Sequence, residues 1–248
     1  MRRIYVDPKD ISSDKVVFGP SGTRYLQRVL RLKRGDLVRV FDGRCEYVVR
    51  LEGFGSGKAL GLITHKTIPH QERPTITLAF CCVRPGPMEE ILRHGTELGI
   101  SRFVPLLSVR CMRRPQERKT RWESIVKGAS AQAGRVDVPA VAAPVPLTQF
   151  LNTPYDDDLA VFLSPTAEAL PMPLMLERER PHRVAILVGP EGGWDPGEEA
   201  LALERGYQPA SLGPTILRTE TAALIAAGLT AVWCHWRTPC TATSDNCQ

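Results

Sequence analysis

The chain has 248 residues, 43% of them hydrophobic and 24% charged, with a formal net charge of +5. This is an ordinary globular balance, enough for one large domain or two ordinary ones with a substantial core. No window approaches the roughly 18 apolar residues of a membrane span, and Met-Arg-Arg leads into a strand rather than a secretory leader. Residues 1–72 hold 14 lysines and arginines against 8 acidic residues, whereas the rest holds 18 against 19. The first third therefore carries the whole positive excess, as a polyanion-docking module would, or as a solvated basic face would. The seven cysteines (45, 81, 82, 111, 234, 240, 247) contain no CxxC pair, so neither a zinc site nor a disulfide framework is indicated. Cys81 and Cys82, inside an apolar run, are expected to be core thiols, and the reducing cytosol is the expected compartment.

From the N-terminus, Arg3–Val6, Val16–Phe18, Leu37–Phe41, Tyr47–Leu51 and Leu60–Thr64 read as short strands. Turns such as Asp42-Gly43 and Gly53–Gly57 separate them, a spacing typical of a small barrel or sandwich. Gly22–Leu32 is expected to be the single helix of this part, carrying Arg24, Arg28 and Arg31 at spacings of four and three. Gly53-Phe54-Gly55-Ser56-Gly57-Lys58 is no phosphate loop: Ala59 replaces the required Ser or Thr, and no strand–helix unit surrounds it. It reads as a hairpin turn.

The Pro-bounded stretch Ile68–Pro74 is the expected boundary, giving domains at 1–72 and 73–237 and a polar, frayed tail at 238–248. Strands and helices then alternate: strand Thr75–Val83, helix Met88–Leu98, strand Phe103–Leu107, helix Gln116–Gly134 and strand Leu159–Leu163. Pro165–Pro181 is broken by prolines and has no clear pattern. The alternation predicts a mostly parallel sheet covered by helices.

Val184–Val188 is a continuous apolar run, the pattern of a strand buried on both faces. It stops at Gly189-Pro190-Glu191-Gly192-Gly193, where glycine permits close backbone approach. Asp195-Pro196 with Glu198 signals a capped helix start. Ala210-Ser211-Leu212-Gly213-Pro214 is a second strand-like step and turn, followed by Thr215–Thr221 and the small, apolar helix Ala222–Val232. Two such turns after neighbouring strands make a concave backbone site of the kind that binds ligands in open α/β folds.

GPEGG followed by W-D-P-G-E, then LG-P-T-ILRTETAA, resembles the C-terminal signature of RNA methyltransferases of the SPOUT superfamily. Within it, the sequence is similar to the ribosomal RNA small subunit methyltransferase E family. Val29-Leu30-Arg31, Lys33–Asp36 and Phe41–Gly43 resemble that family's PUA-like domain, as do Glu97–Ile100 and Gln132–Arg135 its catalytic half. Arg24-Tyr25 stand where the family usually has histidine, Ala131 where it has glutamate, and Arg84 and His94 where it often has lysine. The resemblance implies an α/β fold with a C-terminal trefoil-knotted SPOUT methyltransferase domain and a small N-terminal PUA-like β-barrel domain. It also implies S-adenosylmethionine as cofactor, N3 of a uridine in 16S rRNA of the small ribosomal subunit as target, a homodimer and no metal.

The implied cofactor contacts are Leu163, Gly189, Glu191, Gly192, Leu212, Gly213, Ile216, Leu217, Arg218 and Thr219. Arg218 and Glu220 are the catalytic candidates, Arg218 near the uracil or the methionyl carboxylate and Glu220 orienting it. A surface ion pair for Arg218, and dipole compensation for Glu220 behind Thr219 as N-cap, are the structural alternatives. Arg2, Arg3, Arg24, Arg28, Arg31, Arg110, Arg113, Arg114 and Arg135 are expected to meet RNA phosphates or, equally, to be solvated charge. The five histidines (65, 70, 94, 182, 235) form no ligand cluster. Two other classes stay open: a PUA-like RNA-binding or assembly factor without activity, and a doubly wound nucleotide oxidoreductase, against which the lack of GxGxxG counts.

Overall fold

A computed structural model of the chain describes residues 2–68, 74–111, 119–154, 156–166 and 169–237. The chain splits into two compact units, one of residues 1–71 with 124–138 and one of residues 72–123 with 139–248.

In the first unit, β1 (Arg3–Tyr5), β2 (Lys15–Phe18), β3 (Leu37–Phe41), β4 (Glu46–Gly55) and β5 (Lys58–Thr67) form one sheet in the order β1-β3-β4-β5-β2. β1 runs parallel to β3 and the other pairs are antiparallel. Alternation drives the arrangement: Val38 and Val40 of β3 and Val49 and Leu51 of β4 are fully buried, while Leu37, Arg39 and Arg50 between or beside them are exposed. The hairpin turn is shorter than Gly53–Gly57. Only Ser56 and Gly57 turn, both with positive φ (50° and 73°), as a two-residue hairpin demands. The helix starts two residues before the expected Gly22, because Pro20 suits the first helical position. α1 (Pro20–Arg24) continues as a π-helical turn, Tyr25–Val29, in which Leu30 N–H donates to Tyr25 O at 2.9 Å.

In the second unit the strands are β6 (Thr75–Cys81), β7 (Arg102–Leu107), β8 (Ala140–Val141), β9 (Val145–Pro146), β10 (Leu159–Leu163), β11 (Leu170–Pro171), β12 (Arg183–Val188) and β13 (Gln208–Ser211). The helices are α2 (Pro85–Glu97), α3 (Lys119–Gln132, from Ser124 on part of the first unit), α4 (Leu147–Leu151), α5 (Met172–Glu179), α6 (Pro196–Glu204) and α7 (Thr219–Arg237). All strand pairings are parallel, in the order β11-β13-β10-β12-β6-β7-β8, with β9 also on β7. β12 is buried from Val184 to Val188, as a continuous apolar run between two covered faces should be. One face packs Phe150, Phe162, Leu187 and Trp194 around Cys81 and Leu106. α7 packs with α2 and α5 and against β6 and β12. The Pro-broken segment holds real structure: α5 buries Met172, Met175 and Leu176 and ends at Arg180 in a left-handed conformation. β10 lies between β12 and β13, so the loops that follow all three strands open at one edge. Among the described residues no helix is long and apolar enough to cross a membrane.

Candidate active site

At the carboxyl ends of β10, β12 and β13 lies a cavity of about 320 Å³, within the range of small-molecule sites. Its walls are Leu163–Thr166 after β10, Val188–Glu191 with Gly193 and Trp194 after β12, and Ala210–Gly213 with Thr215–Leu217 after β13. Glu199 of α6 and Thr219 and Ala222 of α7 complete it.

Three contacts hold the walls together. Trp194 donates its indole Nε1–H to Leu163 O at 2.9 Å, tying the loop after β12 to the end of β10. Its ring lies against Gly189, where a Cβ would sit 3.0 Å from Trp194 Cε2. Glycine there is therefore a matter of space, for the indole occupies the place of a side chain. Thr219 Oγ1 donates to Gly189 O at 2.9 Å, fastening the first turn of α7 to the same glycine.

The glycine turn is braced from behind. Asp195 caps α6, accepting from Gly197 N–H at 3.0 Å, and Glu198 Oε2 accepts from Asp195 N–H at 3.3 Å, a complete capping box. Buried Glu198 also accepts from Ser108 Oγ and from Val109 N–H, both at 2.9 Å. Next to them, Arg110 donates to Gly192 O at 3.3 Å and lies 3.8 Å from Asp195. One corner of the cavity is polar: Ser164 donates from Oγ to Glu199 at 3.2 Å and accepts from Thr166 N–H at 3.4 Å.

Of the expected cofactor contacts, Leu163, Gly189, Glu191, Leu212, Gly213, Ile216, Leu217 and Thr219 lie on the wall. Gly192 and Arg218 lie off it. Gly192 turns its carbonyl to Arg110, and the Arg218 side chain is exposed. Thr219 is not the N-cap of α7, because its hydroxyl is engaged with Gly189. Arg218 provides the first helical acceptor instead, its carbonyl taking Ala222 N–H at 2.8 Å. Glu220 is half-buried, and its Oε2 is buried without a hydrogen-bond partner among the described residues. Trp194, Ser164 and Glu199 were not anticipated. Their signal lay in the strand order, which brings the loop after β10 between the other two.

The arginines divide. In the first unit Arg24, Arg28 and Arg31 are exposed, and so is Arg2, which donates to Val29 O at 3.3 Å. Arg3 is largely covered: it pairs with Glu46 at 3.2 Å and lies 5.0 Å over the Phe41 ring. Arg135 does not fit the expectation of a phosphate contact, since it is only 3% exposed and its guanidinium is held by Asp137. In the second unit Arg110 is exposed beside the glycine turn. Arg113 and Arg114 lie outside the described residues.

A slot with apolar side chains from Leu212, Ile216 and Leu217, exposed backbone edges and two carboxylates (Glu191 and Glu199) suits a flat heterocycle bearing a hydroxylated or cationic tail. Among the described residues no group of three metal-binding side chains occurs.

Comparisons with known proteins point the same way. Residues 70–231 match the family model of an RNA methyltransferase domain. The ribosomal RNA small subunit methyltransferase E of Synechocystis sp. is 36% identical over 230 residues, covering 90% of this chain and 75% of that protein. Its Bacillus subtilis counterpart is 27% identical, covering 91% of this chain and 94% of its own length. The crystal structure of a ribosomal RNA small subunit methyltransferase E from Neisseria gonorrhoeae bound to S-adenosyl methionine matches with a TM-score of 0.84 and 31% identity, over 94% of this chain and 97% of that one. A putative methyltransferase from Legionella pneumophila, in complex with the same cofactor, matches at 0.82 and 29%, over 93% and 96%. With a matched domain spanning more than half its length and a relative of this identity, the chain belongs to the ribosomal RNA small subunit methyltransferase E family.

Proposed function

We propose that this chain methylates N3 of a uridine in 16S rRNA of the small ribosomal subunit, using S-adenosylmethionine. The observation that carries the reading is the cavity closed by Trp194 and Thr219 around Gly189. It is narrow and apolar on one side and carboxylate-bearing on the other, so it fits adenine with a cationic, hydroxylated tail. When bound, the cofactor supplies an electrophilic methyl carbon on a positively charged sulfur.

The chain's own groups divide the remaining work. Leu212, Ile216 and Leu217 cover the adenine ring, and the backbone at Gly189 and Gly213 leaves room for its edge. Glu199, aligned by Ser164, accepts from the tail. Ile216 is 90% exposed, an apolar side chain in water whose burial against a bound ring is favourable. Uridine N3 carries a proton that must leave before or as the nitrogen attacks. Arg218, exposed beside the rim, stabilises the negative charge that develops on the uracil, and Glu220, in the first turn of α7, orients it.

The same reading extends to the rest of the molecule. The first unit, with its exposed arginines, acts as a PUA-like RNA-docking barrel. The segment after β13 returns across β10 to reach α7, which packs over β12 and β6, a path consistent with the trefoil knot of the superfamily. The outward positions Ile225 and Val232 of α7 are exposed and apolar, consistent with a homodimer interface. The reaction belongs to the bacterial cytoplasm, where small subunits are assembled. Incubating the purified protein and labelled cofactor with undermethylated small subunits, then mapping the rRNA by mass spectrometry, tests the assignment. One N3-methyluridine is expected. Methylation of another base, or cofactor binding without transfer, overturns it.

A further inference from the structure

The helical segment of the first unit exposes an aromatic ring in the middle of its most basic stretch. From Lys15 to Gly35 the chain holds six lysines and arginines and no acidic residue. Leu26 and Leu30 turn into the core of the unit and Thr23 is buried as well, so Arg24, Tyr25, Arg28 and Val29 face water. Tyr25 is 40% exposed and Val29, four residues on, 58%. Among the described residues the Tyr25 ring meets no other ring and no cation, and its hydroxyl makes no hydrogen bond. Nor does an acidic residue among them pair with Arg24, Arg28 or Arg31. We propose that Tyr25 is the stacking platform for an unpaired base of single-stranded RNA, whose phosphates are held by Arg24, Arg28 and Arg31.

Two features of the backbone set this surface apart from an ordinary solvated helix. The first is the π-helical turn that starts at Tyr25, whose carbonyl takes the N–H of Leu30, five residues on. Such turns are rare and recur at functional sites. The second is Arg31, which closes the turn at φ 55°, a left-handed position where glycine is usual. Beyond it Leu32 N–H returns to Leu26 O at 3.0 Å. An arginine kept in a strained conformation is accounted for by what its guanidinium binds. Arg2 adds a fourth cation, donating to Val29 O at 3.3 Å.

The chemistry selects the occupant. Four cations without a carboxylate among them match a chain of phosphates. Duplex RNA would satisfy the arginines but leave the ring idle, because its bases stay in their own stack and its wide groove offers hydroxyls and phosphates. A single strand offers both a phosphate chain and a free base face, and an aromatic ring among cations binds both. The proposal rests on the RNA-docking role given to this unit above, and adds which strand form it takes and which side chain reads it.

The test compares the full chain with Tyr25→Ala, Tyr25→Phe and Arg31→Gly by fluorescence anisotropy, over a range of salt. The probes are an oligoribonucleotide of about ten nucleotides, its duplex, and a strand of the same length and charge without bases. Tyr25→Ala should weaken binding of the single strand about tenfold and leave the duplex and the abasic strand unchanged. Its salt slope should match that of the parent, since no charge is lost. Tyr25→Phe should bind like the parent, because the ring and not the hydroxyl is used. Arg31→Gly should bind all three probes more weakly, with a slope flatter by about 0.7 on the single strand, and without loss of melting temperature. A Tyr25→Ala chain that binds the single strand like the parent, or loses the abasic strand equally, overturns the stacking role while RNA docking stands. A parent chain with no salt-dependent binding of any probe overturns the docking role and the stacking role together.

Discussion

Arg218 and Glu199 separate two demands placed on one site. Arg218 has an exposed side chain off the cavity wall, so it should matter to the acceptor base and little to the cofactor. Arg218→Ala is expected to lower kcat by about 100-fold, the scale of losing one charge-stabilising donor, with cofactor affinity unchanged by calorimetry. A matching loss of cofactor affinity would instead place the guanidinium on the methionyl carboxylate. Glu199 is the converse. It lines the cavity and is aligned by Ser164, so Glu199→Gln should weaken S-adenosylmethionine binding about tenfold while kcat at saturating cofactor changes little. Its position in the first turn of α6 offers a competing role in helix stability. Unaltered cofactor affinity with a lowered melting temperature would favour that role.

At the level of elements, the cavity depends on how two helices start. α6 begins with a complete capping box, and Asp195→Ala should cost about 1 kcal/mol of stability in chemical denaturation. α7 begins differently, with Thr219 spent on Gly189, so Thr219→Val should cost about 1 kcal/mol by leaving that carbonyl unbonded. Unlike Asp195→Ala, it should also raise the cofactor Kd. Equal effects of the two changes on binding would mean that the Thr219 contact is scaffolding only. This difference also shows what could be read from the chain alone. Leu37–Phe41 and Leu159–Leu163 have the bounds expected of them, since period-two alternation and a short continuous apolar run are both strong local patterns. The Asp195 cap was equally legible, because its partners are within three residues. The role of Thr219 was not, since its partner is thirty residues away across a turn. α5 was hidden for a different reason: prolines at 171 and 173 flank its first residue and mask the spacing of Met172, Met175 and Leu176.

For the whole molecule, the charge asymmetry of the chain becomes a prediction about how it holds RNA. Residues 1–72 carry an excess of 6 positive charges, and Arg24, Arg28 and Arg31 there are exposed, while Arg135, outside that stretch, is buried against Asp137. Each phosphate neutralised on a single strand contributes about −0.7 to the slope of log affinity against log salt. The triple change of Arg24, Arg28 and Arg31 to alanine should therefore flatten that slope by about 2 and weaken binding of 16S rRNA fragments at low salt. The cofactor Kd should not move, because none of the three lies on the cavity wall. A polar surface that merely keeps the chain soluble would lose three charges with no change in slope. Docking through this unit requires the salt dependence and the affinity to fall together, and Arg135→Ala, which removes a buried cation, should lower stability while leaving the slope where it was.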